Sequence, residues 1–219
     1  LTTGSGNDQI DASAGSFLGD TDPKALTGGA GKDTLTLSET VSTLDTTSST
    51  TDHSVTGFEV LEAKTVVPDG SADVTNTIAV DKFAGITDLV ATIDNNDATA
   101  SATPGEVGTV AFTGIGTQAI SFTSDAPVLN NDATIQLTLK DDTGASDVVN
   151  ITSAQPTAGL VNRVDTLTLS RSAAAANAIV ETVNLTLSAA DVSTTDGTTI
   201  GVADFQYANQ LTLLGSGDL

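Results

Sequence analysis

The chain has no cysteine, no methionine and no tryptophan, and a single tyrosine and a single histidine among its 219 residues. Without cysteine there is neither a disulfide framework nor a thiolate metal site. Basic residues are scarce as well. Seven Lys and Arg stand against 28 Asp and Glu, a formal net charge of -21. Such a surface cannot neutralise phosphates, which excludes a nucleic-acid partner and an anionic membrane face. No apolar run approaches the length of a membrane span, so membrane insertion is not expected.

The missing residue types also thin out the catalytic options. A cysteine nucleophile is impossible, and His53 lies in a loop of Ser, Thr and Asp where a solvated histidine is the plain expectation. Neither a G-x-S-x-G elbow nor an H-E-x-x-H pair occurs. Carboxylate pairs exist at Asp141/Asp142 and Glu59/Glu62, and paired carboxylates are what glycosidases use. Sugar sites also want aromatic platforms, and six Phe and one Tyr supply few. The sequence therefore reads as a chain that is not an enzyme.

What the chain does have is threonine, 38 residues of it. With Val and Ile it favours strands. Apolar residues alternate with polar ones at Leu35 and Leu37, at Ile135, Leu137 and Leu139, at Leu167 and Leu169, and at Val183, Leu185 and Leu187, which sets each group on one face of a strand. Only five of the acidic residues are Glu, at 39, 59, 62, 106 and 181. Asp is the carboxylate of turns, so the negative charge belongs at loop ends.

The most specific motif is Gly28-Gly29-Ala30-Gly31-Lys32-Asp33-Thr34-Leu35-Thr36. It fits G-G-x-G-x-D-x-U-x, with U apolar, at each specified position, a pattern that binds Ca²⁺ in parallel β-helical turns. Thr3-Gly4-Ser5-Gly6-Asn7-Asp8-Gln9-Ile10-Asp11 matches with one substitution, Thr3 for the first glycine. Leu214 to Leu219 is a shortened relative. If nine residues make a half-turn, the spacing of Asp8 and Asp33 leaves one full turn plus a short loop at 15–23. The two carboxylates then stack on one edge of a roll. Ca²⁺ ligands are expected from Asp8 and Asp33 and from the carbonyls of Gly4, Gly6, Gly29 and Gly31, with Asn7 and Asp11 as secondary candidates. Asp20 and Asp22, two apart in a glycine-flanked loop, are candidates for a second site. The glycines of the motif are eroded around Asp147 and absent before Asp165, where the carboxylate reads as a strand cap. Glu59 and Glu181 recur at matching places and read as strand-end acids that take backbone N–H groups or a nearby Lys. Asn150-Ile151-Thr152 and Asn184-Leu185-Thr186 fit the N-glycosylation tripeptide, but both fall in expected strands.

Weaker repeats extend the pattern. Asp33-Thr34-Leu35-Thr36-Leu37-Ser38 recurs identically at 165–170, and Phe83 with Leu89 mirrors Phe205 with Leu211. The expected fold is all-β: parallel β-roll or β-solenoid turns that bind Ca²⁺, further strands, and little helix. A glycine-turn unit at 1–102, an inserted β element at 103–160, taken as a hairpin or small sandwich, and a second solenoid-like unit at 161–219 form the expected organisation. The chain opens on Leu1 and stops in mid-motif, which reads as a piece of a longer repetitive extracellular protein.

These residues resemble the RTX-type proteins secreted by Gram-negative bacteria, and among them the Ca²⁺-binding surface-layer proteins. The likeness is carried by Gly28 to Thr36, the Thr-rich alternation, the repeated Asp-Thr-Leu-Thr-Leu-Ser and Val180-Glu181-Thr182-Val183-Asn184-Leu185. It implies secretion to the bacterial cell surface, folding on contact with Ca²⁺ and assembly with copies of itself into a two-dimensional lattice. It also leaves room for anchoring to a cell-surface polysaccharide by regions outside the chain. A ligand-binding segment of a large RTX adhesin and the non-catalytic portion of a secreted RTX enzyme are the alternatives.

Overall fold

Leu, Ile and Val alternate with Thr, Ser and Asn through most of the chain, and that two-residue period is what a strand buried on one face requires. The computed structural model describes residues 1–12, 25–38, 54–67, 73–95, 107–124, 133–140, 147–154, 162–171, 180–187 and 198–215. Fifteen strands lie among them. They are β1 (Gln9–Asp11), β2 (Ala25–Thr27), β3 (Thr34–Leu37), β4 (Ser54–Thr56), β5 (Val60–Val67), β6 (Val74–Ala79), β7 (Asp88–Asn95) and β8 (Gly108–Ile115). There follow β9 (Ala119–Ser124), β10 (Ala133–Leu139), β11 (Val148–Ser153), β12 (Asn162–Arg171), β13 (Val180–Leu187), β14 (Thr198–Asp204) and β15 (Ala208–Gly215). The described residues contain no α-helix, and their one helical element is the 3-10 turn Val80–Lys82.

The strands form a parallel β-solenoid. The odd-numbered ones make an eight-stranded sheet in the order β1-β3-β5-β7-β9-β11-β13-β15. The even-numbered ones face it as a five-stranded sheet, β14-β12-β10-β8-β6, and a two-stranded piece, β2-β4. Pairing is parallel throughout. Parallel neighbours need a crossover, and here the crossover is the strand on the opposite sheet. One rung separates residues 25 apart at Asp8 and Asp33, and 34 apart at Asp147 and Glu181.

Register turns the alternation into a stack. Ile10, Leu35, Leu61, Leu89, Ile120, Ile151, Leu185 and Leu213 pair successively, one per rung. Leu35, Leu61 and Leu89 are fully buried. Burying each such side chain contributes about 1.5–3 kcal/mol. From the facing sheet, Ile78, Phe112, Leu137 and Leu169 form a matching stack in the same core. Two buried polar groups tie the sheets together. Asn76 of β6 donates from Nδ2 to the carbonyls of Leu37 (3.0 Å) and Lys64 (3.3 Å). Thr65 of β5 donates from Oγ1 to the Thr109 carbonyl of β8 (3.2 Å).

Residues 103–160, expected as an insertion, supply β8 to β11. These four take consecutive places in the two sheets, in the same parallel sense as the rest. β8 and β9 pair with strands of neighbouring rungs and not with each other, so they do not form a hairpin. The segments joining these strands differ in length, and that hides the rung period from the sequence.

Candidate metal site

The site starts from two glycine turns, residues 3–8 ahead of β1 and residues 28–33 between β2 and β3. They lie one on the other. Thr2 bridges to Thr27 and Ser5 to Ala30. Gly6 N–H donates to the Ala30 carbonyl (2.7 Å), Ala30 N–H to the Gly4 carbonyl (3.3 Å), and Thr34 N–H to the Asp8 carbonyl (2.8 Å). Glycine is required where the turns touch. Gly29 and Gly31 have φ of +102° and +143°, open to glycine and strained for other residues. A Cβ on Gly29 would run into the Gly4 carbonyl oxygen, and one on Gly31 into that of Gly6.

This stacking places Asp8 over Asp33. Asp33 is 0% exposed, and its two carboxylate oxygens have different surroundings. Oδ1 accepts the backbone N–H of Asp8 (2.8 Å). Oδ2 is buried with no hydrogen-bond partner, and so is Oδ2 of Asp8. An unsatisfied buried polar atom costs about 1–3 kcal/mol, and more when charged. The same unmet oxygen thus recurs on consecutive rungs, at the position where the motif carries its acid. On the next rung Glu59 accepts the Asp33 N–H through Oε2 (2.9 Å), and Glu59 N–H donates to the Asp33 carbonyl (3.1 Å).

The other predicted ligands are distributed as follows. Gly4, Gly6, Gly29 and Gly31 all lie in the stacked turns, with the Gly4 carbonyl already accepting from Ala30. Asn7 is there too, but its Oδ1 accepts the N–H of Lys32 (3.0 Å), so it clips one turn to the next. Asp11 sits at the end of β1, exposed and paired in register with Thr36, beyond the turn. Asp20 and Asp22 fall outside the described residues. Among the described residues no three His, Cys, Asp or Glu side chains form a metal-binding group. A cation here would therefore be held by the two carboxylates and by backbone oxygens. Hard oxygen donors of that kind suit Ca²⁺, and two buried carboxylate oxygens without partners fit it.

A carboxylate taking a strand-start N–H from the neighbouring rung recurs elsewhere. Glu181 accepts from Asp147 N–H (2.8 Å) and Asp165 from Ala133 N–H (2.9 Å). The residue pattern alone reads Glu59 and Glu181 as strand-end acids that take backbone N–H groups or a nearby Lys, and Asp165 as a strand cap. It does not show that Asp33 does the same with one oxygen while leaving the other unmet, because the donor comes from a residue 25 positions away. The Glu59/Glu62 pair is divided by role. Glu62 lies on β5, where its two oxygens accept from Thr36 and Thr92 Oγ1 at 2.8 Å each. Lys32, beside Asp33 in sequence, reaches Asp88 instead (3.2 Å).

Comparison with protein-family models, curated proteins and solved structures finds no match for this chain.

Proposed function

We propose that this chain belongs to the class of β-solenoids completed by Ca²⁺. Within that class we propose a structural subunit of a bacterial surface layer, secreted, folding outside the cell and assembling with copies of itself. The observation that carries the metal reading is the pair of buried, partnerless Oδ2 atoms of Asp8 and Asp33 inside stacked glycine turns. Bound Ca²⁺ would neutralise the two carboxylates and supply their missing contact. The net charge of -21 supports the same reading: compaction concentrates like charge, and a divalent cation relieves it. At about 1 mM Ca²⁺, a site with a Kd of about 10⁻⁴ M stabilises the fold by about 1.4 kcal/mol. That is a sizeable share of the ~5–15 kcal/mol that holds a domain together. The layer-forming role is supported by the repetitive strands and the absence from the sequence of a nucleophile–histidine motif.

The test is a Ca²⁺ titration followed by circular dichroism and light scattering, on the wild-type chain and on Asp33→Ala. Wild type should gain β signal and then scatter as Ca²⁺ rises. Asp33→Ala should need at least about tenfold more Ca²⁺. A fold indifferent both to Ca²⁺ removal and to the substitution would sink the metal reading. A folded monomer at every Ca²⁺ level would sink the assembly reading alone.

A further inference from the structure

The outward face of the eight-stranded sheet changes character along the solenoid. On β5 and β7 it carries Glu62, Lys64, Asp88 and Asp94. Among the described residues, the outward positions of this sheet's strands from β9 onward carry no such charges. β9, β11 and β15 contain no charged residue at all. β13 contains only Glu181, whose carboxylate is engaged at the strand start with Asp147 N–H. The register arranges the residues of this face in columns across β11, β13 and β15. One column is Asn150, Asn184 and Thr212, and the next is Thr152, Thr186 and Leu214. Asn184 donates from Nδ2 to Asn150 Oδ1 (2.9 Å). Val148 and Leu214 are 45% and 51% exposed at the margins.

We infer that this uncharged face is where a second copy of the chain docks, sheet face against sheet face. The inference rests on the self-assembly proposed above and names the surface that performs it. In a molecule of net charge -21, most approaches between two copies bring carboxylates together, and like-charge juxtaposition costs several kcal/mol. This face brings none. Amides and hydroxyls each donate and accept, so an array of them complements its own copy. The copy also presents the identical strand spacing of about 4.8 Å. A sugar is the poorer occupant, because β9, β11, β13 and β15 offer no outward aromatic ring for it to stack on. Four strands at about 4.8 Å by about six residues at about 3.4 Å make a face on the order of 400 Å². Stable complexes bury about 800 Å² per partner. The contact is therefore reversible between two molecules and becomes firm when repeated in an array.

Sedimentation velocity over a wide concentration range, in millimolar Ca²⁺, tests this with Thr186→Glu and Asn150→Lys. Val66→Glu serves as comparison, since Val66 is 39% exposed on the charged part of the same sheet. Wild type and Val66→Glu should associate as concentration rises. At least one face variant should keep the wild-type circular dichroism and lose association by about tenfold or more. Face variants that fold and associate like wild type would overturn the proposal and leave assembly standing on another surface. Wild type that folds on Ca²⁺ but stays monomeric would overturn both docking and assembly, and leave the metal reading intact. Monomers whose retention on a cell-wall polysaccharide column is abolished by Thr186→Glu would overturn it in favour of a sugar.

Discussion

Gly31→Ala is the sharpest perturbation of the stacked turns. Two separate effects act there. The backbone at Gly31 has φ +143°, and forcing a non-glycine residue to positive φ costs about 1–2 kcal/mol. The added Cβ would also run into the Gly6 carbonyl oxygen. That atom is backbone, so the two turns must part. Parting them loosens the Gly6 N–H to Ala30 carbonyl bond (2.7 Å) and the Ala30 N–H to Gly4 carbonyl bond (3.3 Å), each contributing about 1 kcal/mol. The expected loss is about 3–4 kcal/mol. The same motif supplies its own comparisons. Gly6 has φ +128°, but a methyl group added there would meet nothing within 4 Å, so Gly6→Ala should cost only the backbone strain, about 1–2 kcal/mol. Gly4 has neither positive φ nor a neighbour within 4 Å, and Gly4→Ala should cost under about 1 kcal/mol. Denaturant unfolding at saturating Ca²⁺ measures the series, and amide exchange at Gly6 reports whether the turns have parted. If Gly31→Ala were no more damaging than Gly4→Ala, the turns would not be stacked as described.

The remaining predictions concern the core and the carboxylate caps. Leu89→Ala, in the middle of the aliphatic stack and 0% exposed, should destabilise by about 2–5 kcal/mol in the same unfolding assay. Leu213→Ala in the last rung, 44% exposed, should cost clearly less. Asp165→Ala removes the acceptor of the N–H of Ala133, a residue 1% exposed, and should cost about 1–3 kcal/mol. Asp165→Asn keeps an acceptor oxygen and should recover most of that loss. Equal damage from both would mean that the bond contributes nothing.

Parts of this molecule are legible in its residues. The glycine motif and the Thr-rich alternation lead to an all-β parallel solenoid. The spacing of Asp8 and Asp33 leads to their stacking, because each turn carries a glycine at positive φ two residues before its Asp, Gly6 at +128° and Gly31 at +143°. Other features need the third dimension. The hexapeptide Asp33 to Ser38 recurs identically at 165–170, which invites the same place in two repeats. Yet Thr34–Leu37 is a strand of the eight-stranded sheet, and Asn162–Arg171, which contains the second copy, belongs to the facing sheet. Alternation states that one side of a strand is buried, not which sheet it joins. Asn7 reads as a candidate ligand because its oxygen sits in the turn. Its partner is the N–H of Lys32, one rung on, a donor that no local pattern reveals. The uncharged outer face is hidden for the same reason. Its columns join residues about one rung apart, and nothing in a linear reading lines them up.

The rung-upon-rung register has a mechanical consequence. Tension applied along the stack pulls across the strand-to-strand hydrogen bonds, one rung at a time, and does not shear a whole sheet at once. Each released rung of 25 to 36 residues, the spacings of Asp8 from Asp33 and of Val164 from Ile200, lets go about 85–130 Å of chain at ~3.3–3.6 Å per residue. Force on such a molecule would be met by a series of small yields. The rungs left behind keep their own core and can serve as the template on which the lost one winds back.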